Sequence, residues 1–244
     1  MNVKKDMNIV VLNVGIKHYK INMKWLFGFK WKGGTKMCVK EQQNYLNEIL
    51  NNIPYKYTDH WDYFDPGATT EAFELRKKWL KKGMYALVTW SWVTPFAKWI
   101  GDKKCLEVMA GRGWLSLALQ SLGIDITATD DYSWSKKRNW DEPVTEVEKL
   151  DSVQAVEKYG KDIDLLIISW PYMDDNAYKT ITALHKVNPN ALIIYIGEGC
   201  GGCTADDDFH DHFRKIEDEE FQKAVSGFQQ WWGLHDYVML GEYI

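Results

Sequence analysis

The chain has 244 residues, 45% hydrophobic and 26% charged, with a formal net charge of −4 at pH 7. That length supports one substantial core plus an appendage, and the mildly acidic balance lacks the broad positive field of non-specific nucleic-acid binding, which favours a small-molecule or protein partner. No apolar run approaches the ~18 residues of a membrane span, and the start of the chain shows no small-residue cleavage site, so the expectation is no membrane and a cytoplasmic location.

Residues 1–37 carry eight lysines against the single acidic residue Asp6. This contrast with the acidic remainder marks them as a basic N-terminal extension. Residues 38–102 read as a helical region packing on the core. Tyr45, Ile49 and Leu50 recur at helical spacing, as do Phe73, Trp79 and Leu80, and an aromatic, proline-punctuated loop separates the two groups. The stretch WVTPFAKWIGD predicts a short helix with Thr94 at its N-cap, Pro95 at its first position and Gly101 past its end.

From residue 103 to 244 strands and helices alternate. The strands KCLEVM, IDITATD, a weak TEVEKLD, DLLIISW and ALIIYIG are separated by the helices WLSLALQSLG, SVQAVEKYG and NAYKTITALHKV. This alternation predicts an α/β fold: a Rossmann-like, doubly wound, mostly parallel sheet with an N-terminal helical extension. A last helix starting at DDFHDHFRKI and a final strand YVMLGEYI at the sheet edge complete the expectation. Cys200 and Cys203 form one CxxC without a second pair, which reads as two reduced thiols and no metal site.

In such a sheet the ligand binds outside the carboxyl ends of the strands. The first strand of the alternation runs into Glu107, Met109, Gly111 and Gly113, where the two glycines permit a tight turn and close approach to a ligand before a helix opens. The second ends in Asp130 and Asp131, and a carboxylate there can accept the hydroxyls of an adenosine ribose, Asp130 being the first choice. Ser116 in the place of a third glycine and Glu107 at the strand end favour S-adenosylmethionine over a nicotinamide cofactor.

On these residues the chain resembles the class I S-adenosylmethionine-dependent methyltransferases, whose first motif reads E/D-x-G-x-G-x-G. Met109 stands where the first glycine would be. The resemblance implies Glu107 near the methionyl amine and Asp151 near the adenine amine; Asp151 reads equally as the N-cap of SVQAVEKYG. Ser169-Trp170-Pro171-Tyr172 is similar to the motif of amino-group methyltransferases acting on DNA bases, with Trp170 replacing a proline. A further resemblance, spanning about Val93 to Phe213, is to a branch of methyltransferase-like proteins with W-P after the fourth strand and GEGxGGCTADD after the fifth.

Glu198, between glycines at the end of the fifth strand, is the candidate substrate-facing carboxylate, with Trp170 and Tyr172 walling the acceptor pocket and Trp170 also facing the sulfonium by cation–π contact. Thr204 with Asp207 three residues on reads as a capping box. The leading expectation is a methyltransferase acting on a small molecule or protein. The alternatives are a non-catalytic S-adenosylmethionine-binding domain and a nucleic-acid amino-methyltransferase.

Overall fold

The computed structural model describes residues 9–14, 17–22, 39–54, 57–58, 66–136 and 142–244. Most of the basic extension, Cys38 and the 59–65 part of the aromatic loop lie outside the described residues. Within the extension, β1 (Ile9–Val14) and β2 (Lys17–Asn22) pair antiparallel as a separate two-stranded sheet.

The helices α1 (Val39–Glu48), α2 (Pro66–Lys81) and α3 (Trp90–Ile100) precede the main sheet. That sheet is built from β3 (Cys105–Val108), β4 (Ile126–Asp130), β5 (Glu148–Lys149), β6 (Leu165–Ser169), β7 (Leu192–Gly197), β8 (Phe213–Lys215) and β9 (Tyr237–Tyr243). Their order is β5-β4-β3-β6-β7-β9-β8. The pairs from β5 to β7 are parallel, whereas β9 runs antiparallel to both neighbours. The fold is therefore Rossmann-like and mostly parallel. The direction of strand addition reverses between β3 and β6, which makes their carboxyl ends the switch point.

The crossover helices α4 (Trp114–Ser121), α5 (Ser152–Tyr159), α6 (Asn176–Val187), α7 (Asp207–His212) and α8 (Glu219–Val225) cover the two faces. Strand alternation divides the core accordingly. Cys105, Leu165, Ile167, Ile194 and Ile196 pack with residues of α1 to α4 and α8, while Leu106, Val108, Leu166, Ile168 and Ile193 pack with α5, α6 and α7. Burial on both faces explains why β6 and β7 read as continuous apolar runs.

Four local expectations are corrected. The helix predicted to start at Thr94 starts at Trp90, because the Trp90 and Ser91 N–H groups donate to the carbonyls of Leu50 and Asn51 at 3.0 Å each, a backbone cap from a distant segment. Pro95 consequently lies inside α3. The last helix is interrupted: α7 gives way to the short strand β8 before α8 begins. The final strand β9 is not at the edge, since β8 pairs outside it. The N-cap of α7 is Asp206, whose side chain accepts the Phe209 N–H at 3.0 Å; Thr204 instead bonds the loop before it. No described helix is long and apolar enough to cross a membrane.

Candidate functional site

The loop from Met109 to Gly113 leaves the carboxyl end of β3 with three left-handed residues, at φ of 55° for Met109, 56° for Gly111 and 79° for Gly113. Glycine tolerates that region and other residues are strained in it by about 1–2 kcal/mol, so Met109 occupies a position whose backbone favours the glycine of the methyltransferase motif. A Cβ on Gly113 would lie 2.8 Å from Val147 Cγ2 and 2.9 Å from Thr145 Cγ2, whereas one on Gly111 would meet nothing within 4 Å. Gly113 is thus a packing glycine. Gly111 borders open space at the switch point.

Beneath the loop, Glu107 is only 2% exposed and accepts a hydrogen bond from the Ser116 hydroxyl on α4. Burial pushes its carboxyl up to about 7, against the pull of the Ser116 bonds. The serine in the third-glycine position therefore acts as the donor that holds this carboxyl inside the β3–α4 layer.

Asp130 is buried at the end of β4 and accepts three bonds. Its Oδ2 takes the Gly111 N–H at 2.7 Å, and its Oδ1 takes the Tyr132 N–H at 2.7 Å and the Trp134 indole N–H at 3.0 Å. A carboxylate offers about four acceptor positions, so one remains for a ligand. Burial raises its pKa to about 6 despite these donors. Asp131 is exposed and uses Oδ1 for a turn bond to the Ser133 N–H at 2.7 Å. Asp151 is exposed and caps α5 by accepting the Gln154 N–H at 2.9 Å.

Arg112 carried no signal in the sequence beyond its place between two glycines. It is 1% exposed, donates Nε and Nη2 to the Glu142 carbonyl at 2.9 and 2.7 Å, and donates Nη1 to the Lys82 carbonyl at 2.8 Å. The Trp114 indole donates to the same Lys82 carbonyl at 2.8 Å. Lys82 directly follows α2, where helix carbonyls lack internal partners and the dipole favours a cation. The motif loop is thereby latched to the helical region before it.

At the other half of the rim, Trp170 follows β6 with φ of 56°. Its indole donates to Asp236 Oδ1 at 2.9 Å, and its ring lies 5.2 Å from that of Tyr85. Glu198, buried after β7, accepts the Cys203 N–H at 2.6 Å on Oε2 and the His235 N–H at 3.1 Å on Oε1. Burial works to raise its pKa, but these amide bonds outweigh it and leave Glu198 below the ordinary carboxylate value. Thr204 closes the same loop, its hydroxyl accepting the Glu198 N–H at 2.8 Å. The consecutive pair His235-Asp236 thus joins Trp170 and Glu198. Tyr172 stands 50% exposed at the rim.

Asp236 is a residue the sequence reading missed. It precedes β9, is 2% exposed, and has its Oδ2 buried without a hydrogen-bond partner among the described residues. It lines a cleft of about 690 Å³ together with Gly199, Gln222, Val225, Phe228 and Met239. No group of three or more His, Cys, Asp or Glu side chains among the described residues could hold a metal ion.

No protein-family model and no curated protein matches the chain. Solved structures do. TehB from Haemophilus influenzae is 17% identical over 62% of this chain and 61% of that one, with a TM-score of 0.40. The 1,6-didemethyltoxoflavin-N1-methyltransferase of Burkholderia thailandensis, solved with its substrate and S-adenosylhomocysteine, is 13% identical over 76% and 93%, with a TM-score of 0.42. A SAM-dependent methyltransferase from Archaeoglobus fulgidus is 14% identical over 73% and 100%, with a TM-score of 0.41.

Proposed function

We propose that the protein is a cytoplasmic S-adenosylmethionine-dependent methyltransferase acting on a small-molecule or protein acceptor. The observation that carries this reading is the left-handed loop at 109–113, which opens α4 at the switch point and is bonded through Gly111 to Asp130 at the end of the neighbouring strand. Ligands of doubly wound sheets bind at such a point.

The residues present fit the cofactor. Open space over Gly111 leaves room beside the backbone, as a bound ligand needs, and Gly113 holds the far side of the turn against Thr145 and Val147. Glu107 supports the loop from below and would act on the methionyl amine through it. Asp131 has one carboxylate oxygen outside its turn bond, and with the remaining acceptor position of Asp130 it would bind the ribose hydroxyls. Asp151 would keep one oxygen for the adenine amine while capping α5. Trp170 would offer a ring face to the sulfonium.

When bound, the cofactor supplies an electrophilic methyl group on sulfur. The chain's task is then to align the acceptor for displacement and exclude water. In this reading Trp170 and Tyr172 wall the acceptor side, and Glu198 shapes it by holding the 198–204 loop in place. A base role for Glu198 is disfavoured by its lowered pKa and its two amide donors.

Incubating the protein with tritium-labelled S-adenosylmethionine and lysate fractions tests the proposal. Label should enter one fraction with matching release of S-adenosylhomocysteine. Cofactor binding without transfer in any fraction would favour a non-catalytic domain, to which the strained Met109 also points.

A further inference from the structure

Asp236 is the buried carboxylate that the fold leaves incomplete. One oxygen holds the Trp170 indole, while the other is buried with no partner among the described residues, and an ionised oxygen in that state costs far more than it would in water. Native structures satisfy the large majority of such atoms, so each exception calls for an explanation. Among the described residues three charged or titratable groups act on it: Glu198 opposes its ionisation, and Arg76 and His235 favour it. None of them forms an ion pair with it. Arg76 spends Nη1 on the Trp232 carbonyl at 3.2 Å, and His235 faces Glu198 with Nδ1 4.0 Å from Oε1.

The position of this carboxylate is not arbitrary. Tyr237, the residue after it, pairs with Gly197 at the carboxyl end of β7, so Asp236 stands on the same rim as Trp170 and the Glu198 loop. It lines the 690 Å³ cleft, whose size suits a small molecule and whose walls include the apolar residues Val225, Phe228, Val238 and Met239. The lining also carries Lys215, but that ammonium is paired with Glu217 at 2.8 Å, so the unpaired charge facing the cleft is the Asp236 carboxylate, which a cation on an apolar body complements.

We propose that this cleft is the acceptor site and that Asp236 binds an amine acceptor there, taking a proton from its ammonium form. The inference rests on the methyltransferase reading and names its substrate class. The step balances: the ammonium proton passes to the free oxygen of Asp236, the neutral nitrogen forms a bond to the methyl carbon, and the carbon–sulfur bond breaks to leave a thioether. Burial raises the pKa of Asp236 to about 7, which poises it for such a transfer near neutral pH.

The test uses benzylamine as probe, with benzyl alcohol as its uncharged counterpart and phenylacetate as its anionic one. Each is titrated by ligand-observed NMR into the full-length protein with S-adenosylhomocysteine present. Benzylamine should bind at least tenfold more tightly than benzyl alcohol, phenylacetate should not bind, and Asp236→Asn should abolish the preference, since asparagine can still accept the indole bond. In the wild type, benzylamine affinity should rise about tenfold from pH 6 to pH 8 as a group of pKa near 7 ionises; this readout holds even if the variant fails to fold. Equal binding of amine and alcohol, no binding of benzylamine, or a pH-independent affinity would overturn the proposal. Calorimetry with S-adenosylhomocysteine alone separates its failure from that of the cofactor reading.

Discussion

Gly111 donates its backbone N–H to Oδ2 of Asp130 across 2.7 Å, tying the loop after β3 to the end of β4. Asp130 also holds the Tyr132 and Trp134 N–H groups, so its first duty is to the rim itself. Asp130→Ala would leave three donors without their partner and should lower stability by about 3 kcal/mol. Asp131→Ala should change stability by less than about 0.5 kcal/mol yet weaken S-adenosylhomocysteine binding about five- to thirtyfold. Chemical denaturation and calorimetry on the two variants check this division of labour; equal effects on both readouts would contradict it.

The two motif glycines should respond differently to alanine. In Gly113→Ala the new Cβ would lie 2.8 Å from Val147 and 2.9 Å from Thr145 at a φ of 79°, so stability should fall by about 2–4 kcal/mol. Gly111→Ala meets no atom and should cost only the about 1–2 kcal/mol of a left-handed residue, while affinity for S-adenosylhomocysteine drops by more than that loss accounts for. Thermal melts read beside calorimetry distinguish the two.

Arg112 should prove essential to the junction between α2 and the motif loop. Arg112→Met removes three donors from the Lys82 and Glu142 carbonyls and should destabilise the protein by about 3 kcal/mol. Its failure to fold less well than the wild type, measured by urea unfolding, would show that the latch is redundant.

Much of this organisation was legible in the chain and some was not. The apolar runs of β6 and β7 announce parallel strands because both faces are buried, and Glu107, Gly111, Gly113 and Asp130 stand where strand ends place them. What escaped depends on contacts distant in sequence. The start of α3 is set by carbonyls of Leu50 and Asn51, and the insertion of β9 inside β8 is a pairing choice that no local pattern encodes. Arg112 and Asp236 carry no local signal of their roles, which only tertiary burial creates. Glu198 was legible as a rim carboxylate, but the amides that occupy it come partly from His235, 37 residues away.

Three buried carboxyls give the protein a pH signature. Burial raises Glu107 to about 7, Asp130 to about 6 and Asp236 to about 7. A carboxyl whose folded pKa lies above its unfolded value binds more protons when folded, so its contribution to stability falls as pH rises from about 4 to about 7. Glu107→Gln removes one such group. Its stability relative to wild type should therefore increase across that window, by about 2–3 kcal/mol between the two ends. A pH-independent difference between the two proteins in urea would contradict this.

The central claim is tested most directly by calorimetric titration of the folded, full-length protein with S-adenosylhomocysteine, with oxidised nicotinamide adenine dinucleotide run in parallel. The loop geometry at Met109 to Gly113, with Glu107 and Ser116 in place of the dinucleotide fingerprint, predicts saturable one-to-one binding of S-adenosylhomocysteine and none of the dinucleotide. A flat S-adenosylhomocysteine isotherm from folded protein, or binding of the dinucleotide in its place, would contradict the account.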